Sequence, residues 1–146
     1  MGAIASGGIR VLNERVLASL CLSPAAVERV ASLELAEVER RELQYRGVRP
    51  FPDVRGKTVI VVDDGAATGA TIRAAVAVLR RSGAGRIVAA APVASPEAAA
   101  QLAQEADAFV CVICPEDFAA VGQWYEDFSP TQDSEVQTSL RASSAQ

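Results

Sequence analysis

The chain has 146 residues, half of them hydrophobic, which suits one ordinary domain with a buried core. No apolar run reaches the roughly 18 residues needed to cross a bilayer, and Met1-Gly2-Ala3 is not a basic segment leading into an apolar core, so a cytoplasmic protein without membrane contact is expected. A net charge of −4 argues against nucleic acid as a partner, and the absence of histidine removes imidazole metal sites and histidine bases.

Residues 3–12 read as a hairpin, or as a strand with a glycine turn at Gly7 and Gly8. Ser23 followed by Pro24 is a cap with proline at the first helical position. The helix predicted from Pro24 to about Arg46 carries Val27, Ala31, Leu35, Val38 and Tyr45 on one face. Its other face carries Glu28, Glu34, Glu37 and Arg41, and Gly47 supplies a stop. A connector rich in Gly, Pro and Arg covers 47–57.

Val59, Ile60, Val61 and Val62 form a run suited to a strand buried on both faces. Asp63 and Asp64 stand at its carboxyl end, where open α/β sheets bind ligands. The turn that follows is made of small residues, so its backbone N–H groups can approach a phosphate closely. The helix it opens adds free N–H groups and a positive dipole end, and Thr68 and Thr71 add hydroxyl donors. The two acids would repel a phosphate, so they must face sugar hydroxyls or a hydrated Mg²⁺. A phosphate at one end and a diol at the other describe a ribose phosphate. Two other phosphate loops are excluded: Ala70 stands where a Walker loop needs lysine, and only Gly65 and Gly69 are available for a dinucleotide fingerprint. The plainer alternative is that Asp63 and Asp64 merely cap the helix.

That helix, at about 70–82, turns Ile72, Ala75, Val76 and Leu79 inward and Arg73, Arg80 and Arg81 outward, and Gly83 ends it. A second apolar strand covers about 86–93. Ser95-Pro96-Glu97 opens a helix ending near Ala106, and a third strand covers 109–113. These elements make a βαβαβ core with right-handed crossovers, and strands apolar on both faces call for helices on both sides of the sheet. Cys111 and Cys114 lie three apart on a strand, so their sulfurs diverge, and Cys21 is alone, so no second pair completes a zinc site; Cys111 and Cys114 read as small buried hydrophobes in a reducing compartment. Trp124, Tyr125 and Phe128 either pack over the sheet edge or form a platform for a flat base, with Asp127 bonding to its edge. Residues 142–146 are small, polar and expected to fray.

The four apolar residues, the acid pair and the Thr-Gly-x-Thr of 59–71 resemble the phosphoribosyl-diphosphate (PRPP) signature of type I phosphoribosyltransferases. With Trp-Tyr-x-Asp-Phe at 124–128, the chain from about residue 1 to 140 resembles bacterial phosphoribosyltransferase-domain proteins. The resemblance implies an α/β fold with a three-layer parallel sheet. It implies Mg²⁺-dependent displacement of pyrophosphate from C1 of PRPP by a nucleobase or similar nitrogen nucleophile, giving a nucleotide monophosphate. Gly65, Ala66, Ala67, Thr68, Gly69, Ala70 and Thr71 would hold the 5-phosphate. Asp63 and Asp64 would be the catalytic pair on the ribose hydroxyls and would hold the metal, directly or through water. Trp124, Tyr125 and Asp127 would face the base.

Two departures bear on that reading. Ala67 replaces the Asp of purine-type enzymes, as it does in adenine-type members, which leaves the base open. The family also begins with a βα unit and an Arg-Gly-Gly loop that binds pyrophosphate, and nothing upstream of Asp63 reproduces it. Ser6-Gly7-Gly8 is the nearest match, yet the resemblance places it in a later hairpin. The expectation is therefore a chain without its first βα unit, with an unfilled position beside strand 59–62 that a homo-oligomer masks. In such a chain residues 1–57 would be a hairpin and helix, 58–114 the core, 115–140 a hood-like segment and 141–146 a frayed tail. The alternatives are a non-catalytic PRPP or nucleotide sensor, or an inactive remnant.

Overall fold

The computed structural model describes residues 2–47 and 49–143. In chain order these are β1 (Gly2–Ala5), β2 (Ile9–Leu12), α1 (Glu14–Ser19), α2 (Pro24–Arg46), β3 (Thr58–Val62), α3 (Ala70–Arg81), β4 (Arg86–Val93), α4 (Pro96–Glu105), β5 (Ala108–Ile113) and α5 (Asp133–Ser143). Single 3-10 turns lie at Ser6–Gly8 and Val121–Trp124.

The apolar runs become three parallel strands in the order β3-β4-β5, with Val59 beside Ile87 and Val88 beside Ala108. Because the strands are added in one direction, right-handed crossovers put α3 and α4 on the same face, where they touch each other. The core lies beneath them. Ile87, Ala89 and Ala91 of β4 meet Ile72, Val76 and Leu79 of α3 and Ala98 and Leu102 of α4, all buried. The fold is thus α/β with a parallel sheet, as the motif and the alternating elements predict.

The opposite face differs from expectation. Ile60 and Val62 of β3 are 65% and 71% exposed, and Val110 and Val112 of β5 are 56% and 81% exposed. The strands were expected to be buried on both faces, but among the described residues only one face is covered. Helix α2 does not supply the second cover, because it packs on β1, which in turn lies with β2 on α3. The layers therefore run sheet, α3, hairpin, α2. β3 forms one edge of the sheet, and among the described residues no strand fills its outer neighbour position.

Local chemistry explains most of the ends. Ser23 Oγ accepts the N–H of Ala26 at 3.2 Å to start α2, and Gly47 at φ 63° ends it. The predicted face of Val27, Ala31, Leu35, Val38 and Tyr45 is half-buried. Two helices carry no strong signal in the sequence. α1 is started by Asn13, which accepts the N–H of Val16 at 3.1 Å. α5 docks on α2 through Asp133, which accepts from the Tyr45 hydroxyl and lies 3.4 Å from Arg40. It runs past residue 140 to Ser143, across the expected start of the frayed tail; 144–146 and Met1 lie outside the described residues. The cysteines also need correction. Cys111 is half-buried and donates to the carbonyl of Ile113 at 2.9 Å, whereas Cys21 and Cys114 are exposed. No described helix is long and apolar enough to cross a membrane.

Leu102 is fully buried in the layer between α4 and the sheet. Leu102→Ala should lower unfolding free energy by about 2–5 kcal/mol, read as a reduced urea midpoint at constant slope.

Candidate functional site

β3 carries Asp63 and Asp64 just past its end. The Asp63 N–H still donates to the carbonyl of Ala90 at 3.1 Å, so the first acid is held by the sheet ladder. Its carboxylate accepts the N–H of Asp64 at 3.0 Å, which bends the chain out of the strand. Pairing then resumes at Ala66, whose N–H donates to Val93 O at 2.9 Å and whose carbonyl accepts from Ser95 N at 2.9 Å. The Ser95 hydroxyl donates to the carbonyl of Ala67 at 2.8 Å and accepts the N–H of Ala98 at 3.0 Å. One side chain thus caps α4 and anchors the turn.

With those carbonyls engaged, the donors of the turn stay free. Among the described residues, no protein acceptor takes the N–H groups of Ala67, Thr68, Gly69, Thr71 or Ile72. Only that of Ala70 is used, weakly, by Thr68 Oγ1 at 3.4 Å. Gly69 is the N-cap of α3 at φ 68°, a conformation that costs a side-chain-bearing residue roughly 1–2 kcal/mol. Leu102 lies directly beneath it, 3.4 Å from where a Cβ would stand. The result is an anion cradle at a helix N-terminus.

A cavity of about 230 Å³ is walled by residues 63–71 and Val121. All nine residues that the motif singles out therefore meet in one place. Among the described residues no arginine or lysine lines it. Asp63 and Asp64 form no ion pair among the described residues. Burial pushes the Asp63 carboxyl above its ordinary range and the Asp64 charge adds to this, while the bond from the Asp64 N–H opposes it. Two adjacent carboxylates without a cation call for hydroxyl donors or a metal. No group of three or more metal-binding side chains exists among the described residues. A metal here would have two oxygen donors completed by water or ligand, which is how Mg²⁺ binds and not how structural zinc does.

The C-terminal candidates divide. The Tyr125 hydroxyl donates to the carbonyl of Asp64 at 2.6 Å, and its ring packs on Phe128 with centroids 5.2 Å apart. Tyr125 therefore braces the acid pair from behind. Trp124 is 39% exposed and lies outside the cavity wall. Asp127 is also outside it; its carboxylate accepts the Ser129 N–H at 2.9 Å and hydroxyl at 2.5 Å, which hold its pKa below the usual range. Two wall-forming contacts were not foreseen. A Cβ at Gly65 would stand 2.5 Å from Val121 Cγ1, so glycine alone lets the 3-10 turn close over the acids. That turn is held by Gln123, whose side-chain oxygen accepts the N–H groups of Ala119 and Ala120 at 3.1 and 3.0 Å. Ser95 was legible as a cap but not as an anchor.

The family model for the phosphoribosyl transferase domain matches residues 3–128. A Mycobacterium tuberculosis protein provisionally named a phosphoribosyl transferase, in each of two strains, is 42% identical over 135 residues, covering 92% of this chain. The chain spans 30% of the length of that relative. The crystal structure of a Thermus thermophilus protein superposes with a TM-score of 0.72 at 40% identity, over 95% of this chain and 65% of that one.

An acid whose pKa is raised by folding holds its proton more tightly when folded, so its ionised form opposes folding at neutral pH. That penalty disappears as pH falls through the raised value. Asp63→Asn keeps an acceptor for the Asp64 N–H and removes the charge. Its melting temperature at pH 7 should match or exceed that of the parent, with the gap closing in acid. A lower melting temperature at neutral pH would mean that the carboxylate is stabilising and the pair is not strained.

Proposed function

Because the chain belongs to the phosphoribosyl transferase domain family, we propose that residues 63–71 bind PRPP or a nucleotide monophosphate and that the ribose phosphate is transferred to a nitrogen base with release of pyrophosphate. One observation carries this reading: an unpaired acid pair and four residues with free backbone N–H groups, Ala67, Thr68, Gly69 and Thr71, wall one small cavity. The N–H groups of the turn and the hydroxyls of Thr68 and Thr71 take the 5-phosphate, and Asp63 and Asp64 accept from the ribose hydroxyls. Mg²⁺, held by Asp63 and Asp64 directly or through water, would supply charge neutralisation for the hydroxyls and the leaving diphosphate. Bond breaking at C1 leaves an oxocarbenium-like centre, so the work of the protein is positioning and electrostatics. Tyr125 contributes by fixing the backbone of Asp64. The base is taken from the side of the 121–128 segment, where Trp124 and Asp127 are exposed to solvent. The reading places the protein in the cytoplasm, a reducing compartment in keeping with three free cysteines.

A second reading has its own support. Among the described residues no guanidinium or ammonium lines the cavity, so of these groups only N–H donors and a metal would meet the charge of a leaving pyrophosphate. A sensor that binds PRPP without turning it over fits that lining. Calorimetry separates binding from chemistry. Thr71→Ala should weaken nucleotide monophosphate or PRPP binding by about 1–3 kcal/mol, the worth of a charge-assisted hydrogen bond. Asp64→Asn should weaken PRPP binding in the presence of Mg²⁺. Base-dependent pyrophosphate release, screened over the common bases, identifies the transferase; PRPP binding with silence across all bases identifies the sensor. Unchanged affinity in both variants would remove the site from either role.

The uncovered sheet face supports a homo-oligomer, since contiguous apolar patches of this kind on proteins in water usually mark interfaces. Dilute protein should sediment as a dimer or larger, and Val112→Glu should shift it towards monomer. A parent chain that stays monomeric would overturn this.

A further inference from the structure

A second concave site lies between the C-terminal end of α2 and the later turns of α5, and its chemistry is the reverse of the first. It encloses about 400 Å³ and is walled by Gln44, Tyr45, Arg46, Arg49, Gln137 and Arg141, with Gly47 and Leu140 completing it. Among the described residues no carboxylate lines it. The two helices are tied side by side by the Tyr45–Asp133 hydrogen bond, by Arg40 to Asp133 at 3.4 Å, and by Gln137 Nε2, which donates to the carbonyl of Gln44 at 3.5 Å. These ties bring Arg141, one turn beyond Gln137, to the end of α2.

The charge there is unbalanced. Elsewhere Arg10, Arg40, Arg41, Arg55, Arg73 and Arg80 each lie within 3.0 Å of a carboxylate. In this pocket Arg46 only reaches Glu42 at 3.5 Å, and it lies over the Phe51 ring at 5.0 Å. Arg49 uses its Nε on the carbonyl of Arg46 at 3.3 Å, which leaves its two terminal nitrogens. Arg141 has no ion pair among the described residues. Helix C-termini attract cations, and each contributes roughly half a negative charge. Two such ends and Glu42 offset about two of the three guanidinium charges, so about one positive charge remains. Guanidinium forks match the paired oxygens of phosphate better than any other side chain. The volume falls within the range of small-molecule pockets.

We propose that this pocket binds a small molecule through a diphosphate group, with Arg49 and Arg141 as the principal donors and Gln137 beside them. The proposal is independent of the reading of residues 63–71, and inorganic pyrophosphate in metal-free buffer is the probe. In the full chain labelled with ¹⁵N, titration at constant ionic strength should give saturable shifts of the Arg49 and Arg141 Nε–H signals. The same shifts should appear in Thr71→Ala. In Arg49→Gln/Arg141→Gln, with unchanged circular dichroism and melting temperature, affinity read by calorimetry or by the amides of residues 44–47 should fall about tenfold or more, as the loss of charged hydrogen-bond donors implies. If that double variant unfolds, each single variant is measured instead, and each should weaken binding. Shifts confined to residues 66–71, shifts reproduced by chloride, or an affinity unchanged in the variants would overturn the proposal. Citrate binding as tightly as pyrophosphate would overturn the diphosphate assignment.

Discussion

The site depends on one backbone pairing. After leaving the sheet at Asp64, the chain returns to it at Ala66, which bonds to Val93 on one side and Ser95 on the other. Ser95 then takes the next carbonyl, that of Ala67. Two consecutive carbonyls are thereby fixed against the β4–α4 junction, and the N–H groups that follow are left without acceptors. Orphan donors at a helix start normally find a side-chain cap or water. Here Gly69 has no side chain to offer, and Thr68 reaches only one of them. The cradle is open because the residues that could close it are tied elsewhere.

The acid pair is held in the same way. Its strand is registered by β4, its backbone bend by the Asp63 carboxylate, and its far side by the Tyr125 hydroxyl. Charge is kept unsatisfied in opposite senses at two places in the molecule. At 63–71 carboxylates stand without cations, with one of them pushed up in pKa by burial. At the joint end of α2 and α5 guanidinium groups stand in a wall that has no acid among the described residues. Arg10, Arg40, Arg41, Arg55, Arg73 and Arg80, by contrast, each stand in an ion pair.

The sheet shows how position in the fold overrides composition. After Thr58, β3 is apolar at every residue, as β5 is throughout, yet alternate side chains on the far face meet solvent. α2, which has an apolar stripe of the right spacing, is drawn instead to the hairpin and to α5, where its stripe is only half-buried. An edge strand beside an open apolar face is the part of this molecule with most to gain from a partner.

Signals that act within three or four residues were readable from the order of amino acids. Serine–proline starts, glycine stops and the switch from apolar run to small-residue turn placed α2, β3, α3, β4, α4 and β5 within a residue or two. The same local chemistry singled out the acid pair and the turn, because the residues that wall that cavity are consecutive in the chain. What lay beyond reach joins residues far apart in the chain. Ser95 meets Ala67 across 28 positions, Tyr125 meets Asp64 across 61, and Val121 closes on Gly65. The burial of only one alternation in Val59–Val62 could not be told from four equally apolar residues, since it depends on which side the crossovers fall. α5 docks where it does because Asp133 finds Tyr45 and Arg40 on α2. Short-range preferences are written in neighbours, whereas enclosure, bracing and exposure arise from surfaces that meet only after the chain has folded.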